Sequence, residues 1–135
     1  KQAVEQGAII GSAGDGKISS ATREDYAEAI AETIINDDHT GKTYELAGDQ
    51  TFTMQDLAAE VSKQTGKNIE FVNLPEAEYA QKLQEIGLPE GMAKAFASLD
   101  YSASKNDLHD ESGELARLIN RPTTSLSQAV KTGLN

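Results

Sequence analysis

Cysteine and tryptophan are both absent from this 135-residue chain, and aromatic residues make up only 5% of it. Without cysteine there are no disulfides and no thiolate metal sites. No stretch approaches the roughly 18 consecutive apolar residues of a membrane span, and no signal-peptide pattern opens the chain. Basic residues are also scarce: 12 Lys and Arg stand against 22 Asp and Glu, a net charge of −10. That field repels nucleic-acid phosphates and anionic membranes, so neither is expected as a partner, and it works against a dinucleotide site on this chain alone. The apolar share of 38% is low for a domain that must stabilise itself. The length suits one domain, or one fragment leaning on a larger neighbour, over residues 1–135. Lys1 at the start reads as a processed or truncated beginning, and cytoplasmic residence is the default expectation.

Helix and turn signals are plentiful. Residues 1–16 end in Gly7, Gly11, Gly14 and Gly16 around the apolar Ala8, Ile9 and Ile10, which predicts a loop with a short strand, and 17–21 looks extended. Thr22 is a plausible N-cap with Asp25 three residues on, and Tyr26, Ala27, Ile30, Ile34 and Ile35 then recur on one helical face. Residues 43–47 alternate, with Tyr44 and Leu46 on one side, as a strand would. Thr53 with Asp56 opens another helix, with Met54, Leu57, Ala58 and Val61 inward and Gly66 where a C′ glycine belongs. A strand is expected over 68–74, and Pro75 and Pro89 stand at helix starts. Tyr79, Ala80, Leu83 and Ile86 mark one buried face, and Met92, Phe96 and Leu99 recur at helical spacings of four and three. Leu115, Leu118 and Ile119 predict a short helix, and Thr124 or Ser125 caps a last one carrying Leu126 and Val130. The pattern is α/β, helix-rich, with two or three short strands better suited to extending a larger sheet than to forming one.

Two spacings imitate catalytic motifs. Gly11 to Lys17 satisfies G-x-x-x-x-G-K, yet position 18 is Ile where a phosphate loop needs Ser or Thr, no helix starts there, and Asp15 intrudes. A flexible glycine loop is the better reading. Tyr101 and Lys105 have the Tyr-x-x-x-Lys spacing of short-chain dehydrogenases, but such neighbours are common on exposed helices. His39 and His109 lie among acids without metal-motif spacing and read as solvated loop charge. No catalytic residue and no metal ligand is assigned.

Residues 16–49 (GKISSATREDYAEAIAETIINDDHTGKTYELAGD), with KNIEFVNLPEAEYAQKLQEIGLPEGMAKAF and LINRPTT, resemble the C-terminal part of the atypical short-chain dehydrogenase/reductases. The similarity is to the NAD(P)H-dependent quinone oxidoreductase-like and NmrA-like group. It covers most of the chain, and the order of these segments is more specific than any one of them. In that family Tyr101 and Lys105 would fall on the wrong side of the matching segment. The resemblance implies the substrate-side part of a Rossmann-type reductase whose glycine-turn nucleotide half has no counterpart here. It implies NADP or NAD in the parent protein, with none expected to bind this chain alone, and a quinone-like small molecule as substrate. It makes Ser20, Thr22 and Arg23, at a strand-to-helix junction near the nicotinamide cleft, the candidates for the pocket wall.

Two other readings stand beside it. One is a non-catalytic, NmrA-like regulator that senses dinucleotide redox state. The other is a free-standing interaction module, which predicts no exposed apolar patch. The fragment reading predicts such a patch where the nucleotide-binding N-terminal half packs, with self-association as its consequence.

Overall fold

A computed structural model describes residues 2–135. Its elements are α1 (Gln2–Gln6), β1 (Ala8–Gly11), α2 (Arg23–Ile35), a 3-10 turn (Asp37–His39), α3 (Met54–Thr65), β2 (Glu70–Asn73), α4 (Glu76–Glu85), α5 (Glu90–Ala103), α6 (Glu114–Leu118) and α7 (Leu126–Leu134). They fall into two compact units. The first takes the residues up to Lys17 together with Phe52–Leu108, the second Ile18–Thr51 with His109–Asn135.

In the first unit β1 and β2 run parallel, from Ala8 opposite Glu70 to Gly11 opposite Asn73. Helix α3 packs on both strands and buries Ala58 and Val61. Its ends follow the sequence signals: Thr53 and Asp56 form a reciprocal capping box, and Gly66 closes it at φ 68°. The Ser62 hydroxyl then accepts from the Ile69 N–H at 2.9 Å, joining helix to strand. Pro75 and Pro89 stand at the N-caps of α4 and α5, which pack as a pair. The expected buried face of α4 holds at Ala80, with Tyr79 and Leu83 half-buried, but fails at Ile86. Ala80, Ala93, Ala97 and Ala103 are buried, whereas Ile86, Met92, Phe96 and Leu99 are exposed. Alanine lets backbones approach closely; the bulkier stripe beside it has no cover among the described residues. The approach is tightest at Gly16, where a Cβ would lie 2.0 Å from the Ala103 carbonyl oxygen.

In the second unit Thr22 caps α2, its hydroxyl accepting from the Asp25 N–H at 3.2 Å. Helix α2 packs on α6 around Ala29, Leu115 and Ile119, joined by Tyr26 and Leu46. The apolar face of α2 lies mostly on the surface: Tyr26 is half-buried, Ile30 is exposed, and Ile34 and Ile35 are each 76% exposed. Residues 43–47 form no ladder, although their alternation holds, with Tyr44 and Leu46 half-buried. Side chains take the backbone groups that a strand would pair. The Glu45 N–H donates to Glu114, and the Ser112 and Tyr26 hydroxyls donate to the carbonyls of Glu45 and Leu46. Helix α7 starts at Ser125, in a capping box with Gln128, and buries Val130.

One buried charge organises this unit. Asp25 is 0% exposed. It accepts from the Thr124 N–H at 2.9 Å and the Thr124 hydroxyl at 3.1 Å, and pairs with Arg121 at 2.8 Å. Arg121 is shared with Glu28. Burial alone would raise the Asp25 carboxyl. Hydrogen bonds from the Thr124 backbone, Arg121, Thr22 and the Thr124 hydroxyl outweigh it and hold the group below the usual carboxylate range.

Two predictions follow from these contacts. Because the folded pKa lies below the unfolded one, Asp25 contributes its full stabilisation above the usual carboxylate range and loses it as pH falls through the folded value. Asp25→Asn should therefore cost roughly 2–4 kcal/mol at neutral pH and flatten the acid limb of the stability curve, as denaturant melts at stepped pH would measure. An unchanged acid limb would deny Asp25 this role. Gly16→Ala should lose about 1–3 kcal/mol through its clash with Ala103. Gly91→Ala, with open space around it, should instead gain up to about 1 kcal/mol. Thermal melts that rank the two variants the other way would contradict the packing described.

Candidate functional site

The three expected pocket residues gather where the chain enters α2. Thr22 is half-buried and committed to its cap, while Ser20 and Arg23 are exposed. Backbone contact fixes the approach: the Gly48 N–H donates to the Ser19 carbonyl at 2.8 Å, and a Cβ on Gly48 would lie 2.3 Å from the Ser20 carbonyl. Among the described residues Arg23 makes no ion pair, in contrast to Arg121. It occupies the first helical position, where a cation works against the helix dipole. Its guanidinium is exposed.

Beside it lies a knot that the sequence did not advertise. Ser19 is only 3% exposed, and its Oγ stands 3.1 Å from the Thr51 hydroxyl and 3.3 Å from His109 Nδ1. The Asp110 N–H donates to the same oxygen at 3.2 Å, and His109 Nε2 stands 3.3 Å from Glu111. His109 is therefore a packed linking residue and not solvated loop charge. The serine, histidine and acid imitate a nucleophilic triad, but the serine is buried and its oxygen engaged on three sides, which leaves no approach for a substrate. His39 likewise bonds the Tyr44 hydroxyl through Nδ1 at 2.7 Å. Among the described residues no cluster of His, Asp and Glu could hold a metal ion.

The glycine loop of the first unit has the spacing of a phosphate-binding loop. A phosphate cradle needs free backbone N–H groups. Here the Ser12 N–H donates to Asp100 Oδ2 at 3.0 Å, and the Gly14 N–H to Asn73 Oδ1 at 2.8 Å. The Gly16 N–H donates to the Ala13 carbonyl at 2.9 Å, and the Lys17 N–H to Asn106 Oδ1 at 2.8 Å. The loop does not fit the pyrophosphate of a dinucleotide. Tyr101 and Lys105 lie at the end of α5, with the ammonium 4.8 Å from the phenol ring centroid. With Asn73 and Asn106 they line a cleft of about 630 Å³.

No protein-family model matches the chain. It is 52% identical over 128 residues to quinone oxidoreductase 2 of Escherichia coli (strain K12), a match covering 95% of this chain and 45% of that protein. The crystal structure of an NADPH-dependent quinone oxidoreductase from Escherichia coli, complexed with NADPH, superimposes with a TM-score of 0.96 at 50% identity, covering 99% of this chain and 47% of that one. Triphenylmethane reductase from Citrobacter sp., complexed with NADP(H), gives a TM-score of 0.92 at 32% identity, covering 97% and 46%. The chain thus spans about half the length of the relatives it matches, in their C-terminal part. It belongs to the quinone oxidoreductase-like, atypical short-chain dehydrogenase/reductase family, of which it corresponds to the C-terminal region.

Proposed function

We propose that this chain is the substrate-side part of an NADPH-dependent reductase of quinones or related electron-poor aromatic compounds, completed by a nucleotide-binding half. The observation that carries the reading is the 52% identity over 128 residues to an enzyme named as a quinone oxidoreductase. A second observation supports it from the chain's own physics. In the first unit Ile10, Val72, Ile86, Met92, Phe96 and Leu99 are exposed, and an apolar groove of about 470 Å³ lies between β1 and α4. In the second unit Ile30, Ile34 and Ile35 are exposed along one helix. Surfaces of this kind mark contact with another protein body. A free-standing interaction module predicts no such surface, and the relatives bear reductase names, which favours catalysis over the NmrA-like regulatory reading.

In this division of labour the dinucleotide supplies the hydride from the other half. The present chain contributes walls. Ser20, Thr22 and Arg23 border the substrate, with Thr22 fixing the backbone and Arg23 offering an unpaired cation to a carbonyl or an anionic ring substituent. The reading carries with it a cytoplasmic setting, where reduced dinucleotide is supplied.

Two experiments test it. The chain alone should bind an apolar-surface dye and fail to oxidise NADPH with a quinone, whereas the protein including its nucleotide-binding half should oxidise NADPH and lose the dye signal. Turnover by residues 1–135 alone, or inertness of the completed protein towards quinones, would overturn the proposal. In the completed protein Arg23→Ala should raise KM for the quinone about three- to tenfold with little change in melting temperature, since Arg23 makes no ion pair among the described residues. An unchanged KM would remove Arg23 from the pocket wall.

A further inference from the structure

The chain passes between its two units three times, after Lys17, after Thr51 and after Leu108. At or close to each passage, on the side of the second unit, stands a side chain of the polar knot: Ser19, Thr51 and His109. The bonding has one consistent direction for a neutral ring. Nε2 faces the Glu111 carboxylate at 3.3 Å and carries the proton there, which leaves Nδ1 as the acceptor. Ser19 Oγ then donates to Nδ1 at 3.3 Å, and accepts from the Thr51 hydroxyl at 3.1 Å and the Asp110 N–H at 3.2 Å. A serine hydroxyl has one donor and two acceptor sites, and all are used. The Ser19 carbonyl is held separately, by the Gly48 N–H at 2.8 Å. Ser19 is thus fixed by side chain and backbone together, directly before Ser20 and on the approach to Arg23. Residues 19–22 lie in no helix or strand, so these bonds stand in for a ladder in fixing the entry to α2.

We propose that His109 is a positioning residue for the substrate pocket: through Ser19 Oγ it fixes the stretch that carries Ser20, Thr22 and Arg23. The proposal deepens the quinone-reductase reading and rests on it for the substrate and for the place of Arg23. His109 acts through Ser19 and touches no substrate itself. Polar clusters of this kind add little net stability but over-determine position, because moving one member strands the others. Apolar packing at the junction is slight. Of the described residues 19–23 only Ala21 joins the apolar cluster of the unit, while Ser20 and Arg23 are exposed. Tyr26 and Ala29 anchor α2 further along. The hold on the junction therefore falls to the knot, and a misplacement of about 1 Å can cost an enzyme up to about a hundredfold even far from the chemistry.

Two substitutions separate the ring's two bonds. His109→Asn places an amide oxygen where Nδ1 stood and keeps the bond to Ser19, whereas His109→Gln reaches the place of Nε2 and keeps only the bond to Glu111. Both are made in the protein completed by its nucleotide-binding half. His109→Gln should raise the quinone KM about two- to fivefold while the KM for NADPH stays in place. Amide exchange at Gly48 and Asp110, whose N–H groups both bond Ser19, should quicken about tenfold or more. His109→Asn should bring both readouts back towards the wild type. A space-filling role for the ring predicts the opposite order, since asparagine is the smaller side chain. Ser19→Ala provides a second route to the same link: in that background His109→Gln should add no further rise in the quinone KM. Wild-type exchange in His109→Gln, equal damage from both histidine variants, or additive effects with Ser19→Ala would each overturn the proposal. So would quickened exchange with an unmoved quinone KM in an active enzyme, which rejects the role of His109 and leaves the reductase reading standing. A completed wild-type protein that fails to oxidise NADPH with quinones would reject the reductase reading, and the pocket role with it, whatever the exchange rates.

Discussion

The first unit is filled chiefly by alanine, and the second buries only Ala29, Leu115, Ile119 and Val130 among its described apolar residues; this constraint governs what else the chain can do. Ala13, Ala29, Ala58, Ala80, Ala93, Ala97 and Ala103 are buried, while the largest fully buried side chains are Leu115 and Asp25. Small side chains let helices and loops approach closely, down to the contact that forbids a Cβ at Gly16. They also yield little burial energy, since a buried Leu or Ile contributes about 1.5–3 kcal/mol and an alanine far less. The side chains that could contribute more, Ile34, Ile35, Met92, Phe96 and Leu99 among them, lie outside. A two-stranded parallel sheet adds little by itself, because such sheets are ordinarily covered on both faces. Many of the molecule's large apolar side chains therefore stand on its surface.

Where apolar mass is short, hydrogen bonds of long sequence separation do the tying. Asp25 reaches Thr124 across 99 positions, Ser19 reaches Asp110 across 91, and Ser12 reaches Asp100 across 88. Each uses a side chain to satisfy a backbone N–H in a loop, so each fixes a segment that has no ladder or helix to hold it. Such ties gain only modestly when made but cost heavily when half-broken, since the remaining donor stays buried without a partner. They therefore give the loops definite positions more than they give the fold net stability.

What could be read from the sequence divides along the same line. Helix ends were legible because a cap is a local event: Thr22 with Asp25, Thr53 with Asp56, and Gly66 in a left-handed turn all stand where their neighbours implied. Helical spacing also found apolar faces, but spacing cannot say whether a partner lies within the chain, and the Ile30, Ile34 and Ile35 face stands outside. Residues 43–47 have the alternation of a strand but find side chains where a ladder would be. The long-range ties were invisible for a different reason. Asp25 read as a helix-start acid, and nothing near it announces Thr124 or Arg121, nor does anything near His109 announce Ser19. Ser20, Thr22 and Arg23 came from family resemblance, and only the unpaired state of Arg23 adds a physical reason of its own.

The glycine loop shows how one set of bonds decides both what a site refuses and what it offers. Its spacing imitates a phosphate loop, and a phosphate would compete for the N–H groups of Ser12, Gly14, Gly16 and Lys17. Those four are already taken by Asp100, Asn73, Ala13 and Asn106. Displacing them would leave a carboxylate and two amide oxygens beside an incoming anion, so the refusal comes from repulsion as well as from saturation. The same bonds turn each asparagine so that its amide nitrogen is left over.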